Sequence, residues 1–124
     1  MYNILVVDDE KDIVAALEIY LRSEGYRVLS AINGREALSI AAREDVHLIL
    51  MDIMMPKMNG YEATAAIRGL SERPDAGAIP IIAMTANAFA EDVQASLDAG
   101  MNGHIAKPIV MDEVLKTIMG NMNR

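Results

Sequence analysis

Asp52 closes an apolar run, Val46-His47-Leu48-Ile49-Leu50-Met51, and precedes Ile53-Met54-Met55-Pro56-Lys57-Met58-Asn59-Gly60. A second apolar run, Ile4-Leu5-Val6-Val7, ends the same way, in Asp8-Asp9-Glu10. A carboxylate at the exit of a buried strand needs compensation from its surroundings. Two such exits predict a site rather than a solvated edge. Carboxylates held together repel one another, and their pKa values rise unless a counter-charge is supplied. A divalent cation meets that need: Mg2+ takes oxygen ligands in octahedral geometry and keeps several waters. Asp9 and Asp52 could ligate it directly and Asp8 through a water, with a backbone carbonyl near Met54 as a further ligand. Lys107 brings a point charge suited to a phosphate or a carboxylate. Thr85 brings a short hydroxyl able to donate to a phosphoryl oxygen. Together these are the parts of phosphoryl transfer: a carboxylate nucleophile, a metal, and positive charge for the transferred group.

The elements that must hold these groups follow from the hydrophobic period, which switches repeatedly. Tyr2 to Val7 is a continuous apolar run and predicts a buried strand. From Glu10 to Glu24, Ile13, Ala16, Leu17, Tyr20 and Leu21 fall on one face of a helix, which Gly25 stops. Tyr26 to Ala31 predicts a second strand. Asn33-Gly34 turns and caps a helix marked by Ala37, Leu38 and Ala41, ending near Glu44. Leu48 to Met51 is the third strand, and Asn59 caps a helix carrying Tyr61, Ala65 and Ile67. Ser71 to Gly77 is polar and contains Pro and Gly, which predicts a flexible loop. Ile79 to Met84 is the fourth strand. Phe89, Val93 and Leu97 lie at helical spacing and Gly100 stops that helix. His104 to Ala106 is a short fifth strand ended by Pro108, and Val114, Leu115, Ile118, Met119 and Met122 line a last helix.

Strict strand–helix alternation implies a parallel sheet covered by helices on both faces. Full burial explains the unbroken apolar strands. In such sheets ligands bind beyond the carboxyl ends of the strands. Asp8 and Asp9 follow the first strand, Asp52 the third, Thr85 the fourth and Lys107 the fifth, so all the candidate chemistry lies at that edge.

The bulk properties agree. A chain of 124 residues that is 52% hydrophobic is expected to fold as one domain, 1–124, around its own core. It has no cysteine, which excludes disulfides and thiolate metal sites. No apolar run approaches the ~18 residues of a membrane span. No basic stretch precedes an apolar one at the N-terminus, so a cytoplasmic location is expected. A net charge of −7 disfavours direct nucleic-acid binding.

From Ile4-Leu5-Val6-Val7-Asp8-Asp9-Glu10 to Lys107-Pro108-Ile109, the chain resembles a receiver domain of the two-component response-regulator family. Met51-Asp52-Ile53-Met54-Met55-Pro56 and Met84-Thr85-Ala86-Asn87-Ala88 are most similar to receivers of hybrid sensor histidine kinases. The resemblance implies a flavodoxin-like (βα)5 doubly wound fold, a five-stranded parallel sheet in the order 2-1-3-4-5. It implies that Asp52 accepts phosphate from a phosphohistidine on a histidine kinase or histidine phosphotransfer domain. Asp8, Asp9, Asp52 and the Met54 carbonyl would hold Mg2+, Thr85 and Lys107 would contact the phosphoryl group, and Lys107-Pro108 would be cis. Thr85 would drive a switch of the surface of the fourth helix, fifth strand and fifth helix, with a phosphorylation-dependent dimer as one outcome. No membrane contact by the domain is implied, and no enzymatic activity beyond its own phosphorylation and slow dephosphorylation. His104 departs from the family's commoner Tyr or Phe three residues before the Lys. It is read either as packing or as a switch residue that titrates near neutrality. Val14 and Ala15, apolar and off the core stripe of the first helix, are the expected kinase-docking residues.

Taken singly, each group has an ordinary reading. Asp8 and Asp9 suit a helix N-terminus. Asp52 suits a turn before Pro56, and Lys107 suits a surface position. Thr85 suits an N-cap for a helix beginning near Ala88. His47 is expected to be partly exposed and structural. Met51, Met54, Met55 and Met58 are expected in core and loop packing, with Met54 and Met55 limiting water access to Asp52. Other functions fit less well. A haloacid-dehalogenase type of enzyme needs a second Asp two residues after the nucleophile, where this chain has Met54. A flavin module needs a hydroxyl- and Gly-rich loop where this chain has Asp8-Asp9-Glu10, and there is no P-loop.

Overall fold

The computed structural model describes residues 2–55, 58–71, 73–86 and 90–122. Five strands and five helices alternate: β1 Asn3–Val7, α1 Lys11–Ser23, β2 Arg27–Ala31, α2 Gly34–Arg43, β3 Leu48–Asp52, α3 Gly60–Arg68, β4 Ile81–Thr85, α4 Ala90–Asp98, β5 Gly103–Ala106 and α5 Met111–Met122. The strands form one parallel sheet in the order β2-β1-β3-β4-β5, as expected. Strand order reverses between β1 and β3, so the carboxyl ends of those two strands open on a crevice.

Alternation along each strand sends side chains to opposite faces. Leu5, Val7, Ile49 and Met51 point to one face and pack with Ala37 and Ala41 of α2 and Ala63 and Ile67 of α3. Ile4, Val6, Leu48 and Leu50 point to the other and pack with Leu17 and Leu21 of α1 and Val114 and Ile118 of α5. Both faces are apolar, which is why β1, β3 and β4 read as continuous hydrophobic runs.

The predicted caps are present. Asn33 accepts from the Glu36 N–H, and Asn59 forms a reciprocal capping box with Glu62. Gly25, with φ of 91°, stops α1 in the left-handed region. His47 takes its expected structural place: its Nδ1 accepts the Asn3 N–H at 2.9 Å.

Several expectations are corrected. Ala16 of α1 is exposed rather than part of the core stripe. On α3, Ala63 and Thr64 are buried while Ala65 faces out. Leu97 of α4 is 51% exposed and Ser96 is buried in its place, because the helix meets β5 along a neighbouring face. Met119 of α5 is exposed as well. In the segment predicted as a flexible loop, Arg73 makes long-range contacts. Arg73 donates to the carbonyls of Ala41, Glu44 and Val46 at and beyond the end of α2, and pairs with Asp75 at 2.8 Å. Pro56, Ala88 and Phe89, to which expectations were attached, lie outside the described residues. Among the described residues no helix is long and apolar enough to cross a membrane.

Candidate phosphoryl-transfer site

Asp8 leaves β1 directly into the crevice. Its N–H donates to the Ala31 carbonyl at the end of β2, and its Oδ1 accepts from the Glu10 N–H at 2.9 Å. This local turn fixes the Asp8 carboxylate, which is fully buried, and leaves Asp9 exposed at the rim. Asp52 is the last residue of β3, paired in register with Met84 of β4, and is 2% exposed. Its Oδ1 accepts the Met54 N–H at 3.2 Å. Carboxylate oxygens of Asp8, Asp9 and Asp52 lie within 4.8 Å of one another.

Lys107 leaves β5 beside a cis peptide bond to Pro108. Its N–H donates to the Thr85 carbonyl at 2.8 Å, which aligns the ends of β4 and β5. The ammonium reaches across the crevice to Asp8 Oδ2 at 3.0 Å, Asp52 Oδ1 at 3.4 Å and Glu10 Oε1 at 3.7 Å. Apart from that ion pair, the buried Asp8 Oδ2 has no hydrogen-bond partner.

The electrostatics follow from this crowding. Burial is the main cause that raises the Asp52 pKa, the nearby Asp8 charge adds to it, and Lys107 and the Met54 N–H only partly offset them, leaving it at about 6. Burial alone pulls the Lys107 pKa down, but its pairing with Asp8 and Asp52 prevails and holds the ammonium above its usual value. One lysine therefore serves two buried acids. The buried oxygen without a hydrogen bond and the converging hard oxygen donors fit a divalent cation of the Mg2+ kind.

Thr85, the last residue of β4, is buried at the same edge. His104 lies on β5 opposite Ala83 and is exposed, so it is not packed in the core. Val14 is half-buried and Ala15 exposed on α1, and both line a shallow groove with Lys11, Glu18, Ser30 and Ile32. Met51 and Met55 are buried as expected, but Met54 is 76% exposed and does not pack over the site.

Two contributors escaped the sequence reading. Glu10 carries no role of its own in the sequence, and the Lys107 ammonium reaches its carboxylate at 3.7 Å. Gly60 opens α3 directly under the strand that carries Asp52. A Cβ at Gly60 would stand 2.6 Å from the Asp52 carbonyl oxygen and 2.7 Å from Ile53 Cα. The signal for it was the close spacing of Asp52, Asn59 and Gly60, which forces the chain back on itself.

A family model described as the response regulator receiver domain matches residues 4–119. A 14.6 kDa protein of Leptolyngbya boryana is 40% identical over 116 residues, covering 94% of this chain and 86% of that one. The sensor histidine kinase RcsC of Escherichia coli is 36% identical over 115 residues, covering 93% of this chain and 12% of the kinase. For other curated relatives the chain spans about half their length. The receiver domain of sensor histidine kinase PA1611 from Pseudomonas aeruginosa superposes with a TM-score of 0.89 at 36% identity, covering 99% of this chain and 98% of that one. That structure has a magnesium ion coordinated in its active-site cleft.

Proposed function

The chain belongs to the response regulator receiver domain family of two-component signalling, and on that premise we propose that Asp52 is its phosphoacceptor. The observation that carries this reading is a buried strand-end carboxylate 3.4 Å from the Lys107 ammonium and clustered with Asp8 and Asp9. In the ionised form an Asp52 oxygen attacks the phosphorus of a phosphohistidine. The P–O bond forms as the P–N bond breaks, and the imidazole nitrogen leaves with the electron pair. Asp8, Asp9, Asp52 and the Met54 backbone carbonyl would hold Mg2+, which when bound neutralises charge on the phosphoryl oxygens. Lys107 releases its hold on Asp52 and follows the phosphoryl charge, still anchored by Asp8. Thr85, at the adjoining strand end, donates its hydroxyl to a phosphoryl oxygen.

The added phosphate carries roughly −1.5 to −2 charges at one strand end. Engagement of Thr85 and Lys107 then biases the α4-β5-α5 surface, where the exposed His104 sits. That surface would carry a phosphorylation-dependent dimer. The donor is a histidine kinase or histidine phosphotransfer domain docking on α1 at Val14 and Ala15. A second groove of about 270 Å³, lined by Ala16, Leu17, Lys107 and Pro108 among others, continues that docking face towards the site. A thioether at Met54 can act as neither acid nor base, so Asp52 stores the phosphoryl group rather than turning over substrate.

Incubation with acetyl phosphate and Mg2+, followed by intact mass, tests this directly. One phosphoryl adduct is expected, absent in Asp52→Asn. No adduct with acetyl phosphate, phosphoramidate or a phosphorylated kinase overturns the reading.

A further inference from the structure

Met54 is 76% exposed. Its backbone N–H holds Asp52 Oδ1 at 3.2 Å, and it lines an open cavity of about 410 Å³ with Ile53, Met55, Asn59 and Tyr61. Packing does not account for an apolar side chain there. The other described methionines are sheltered in graded fashion. Met51 and Met84 are fully buried, Met101 and Met55 are 3% and 7% exposed, and Met119, the next most open, is 47% exposed. The chain has no cysteine, so thioethers are its only sulfur available to oxidants.

We propose that Met54 is a redox-modification site whose oxidation to the sulfoxide shortens the life of the phosphoryl group on Asp52. The inference rests on the phosphoacceptor role proposed above. In the step itself the thioether sulfur takes one oxygen atom from hydrogen peroxide; the O–O bond breaks and the peroxide is reduced to water. The product exchanges a flexible apolar group for a dipolar one with a strong hydrogen-bond acceptor. Because the Met54 N–H is bonded to Asp52 Oδ1, that acceptor sits on the residue that holds the carboxylate and draws water towards it, and hydrolysis is the route by which the phosphoryl group is lost.

The full chain is treated with graded hydrogen peroxide and mapped by fragment mass spectrometry. It is then phosphorylated with acetyl phosphate, and the decay of the adduct is followed by intact mass. Met54 should be the first of the described methionines to gain an oxygen, and the adduct should decay about threefold or more faster after oxidation. Each variant is compared with itself before and after peroxide. Met54→Leu should lose the peroxide effect, Met119→Leu should keep it, and methionine sulfoxide reductases should reverse it. Oxidation of Met119 before Met54, an unchanged decay, or an effect that survives in Met54→Leu overturns the inference. Failure to form any adduct before peroxide is added is a different result, which overturns the phosphoacceptor reading and this inference with it.

Discussion

The Lys107 ammonium stands 3.0 Å from Asp8 Oδ2 and 3.4 Å from Asp52 Oδ1. It joins the ends of β1, β3 and β5 across the crevice and is the counter-charge for two buried acids. Lys107→Met leaves those acids facing each other unpaired. Unfolding by urea without metal should show a loss of about 2 kcal/mol, because removing one partner of a buried ion pair strands the rest. Mg2+ should restore part of it. Equal stability of the variant and its parent in metal-free buffer would count against this role.

The raised pKa of Asp52, about 6 against an ordinary 3.8, makes a pH prediction. The folded state holds this proton more tightly than the unfolded chain does. Its contribution is fully favourable below pH 3.8 and is lost as pH rises through about 6. At pH 7 the metal-free protein therefore carries the cost of an ionised, crowded carboxylate. Asp52→Asn should be more stable there by about 1 kcal/mol, a value reduced from full linkage because solvent at the mouth screens the charge. The gain should shrink towards pH 4. Phosphorylation of the parent by acetyl phosphate should fall on acidification, since a neutral carboxyl is a poor nucleophile, and saturating Mg2+ should move that fall below pH 6 because the cation favours the carboxylate. A pH-independent stability difference between the two proteins would refute the assignment.

Gly60 and Gly120 should respond oppositely to alanine. At Gly60 the new methyl meets the Asp52 carbonyl and Ile53 Cα, so the end of β3 must move. Gly60→Ala should cost roughly 1–3 kcal/mol, and it should slow phosphorylation even where the protein is fully folded by circular dichroism. At Gly120, inside α5, nothing lies within 4 Å, so alanine should add about 0.5–1 kcal/mol from helix propensity. Thermal melts of both variants check the pair of signs.

Arg68, at the end of α3, is a polar staple away from the site. Its guanidinium donates to the carbonyls of Gly100, Ala76 and Ile79 and to Asn102 Oδ1, which also accepts the Ile81 N–H. Arg68→Leu should cost about 3 kcal/mol through stranded carbonyls. Below its lowered melting point the folded variant should still take up phosphate at the parent's rate. A matching loss of phosphorylation would mean the staple also shapes the site.

Val14→Glu tests the docking face. Phosphotransfer from a histidine kinase should slow about tenfold, equivalent to ~1.4 kcal/mol at the encounter, with acetyl phosphate reactivity unchanged. Equal loss from both donors would locate the defect in the site itself.

Much of this molecule was legible in its sequence. Apolar runs broken by helical stripes are enough to specify five βα units, because a strand buried on both faces has no other composition available to it. The caps at Asn33 and Asn59 and the stop at Gly25 were equally local, set by residues within one turn of one another. That Asp8, Asp52, Thr85 and Lys107 share an edge followed from parallel strands all ending on the same side.

Distance and exposure were decided only by the tertiary structure. Whether Lys107 pairs with Asp8 or with Asp52 depends on the twist and register of three strands, and it reaches both. The contacts of Arg73 with the end of α2 join residues about thirty positions apart, beyond any local pattern. Leu97 matched a helical stripe yet faces solvent, because the side of α4 that packs is chosen by β5 and not by α4. Met54 shows the same limit. Its neighbours Met51 and Met55 are buried, and only the path of the chain out of β3 turns this one methionine to the solvent beside Asp52. Local periodicity encodes which elements form; long-range packing sets which atoms meet.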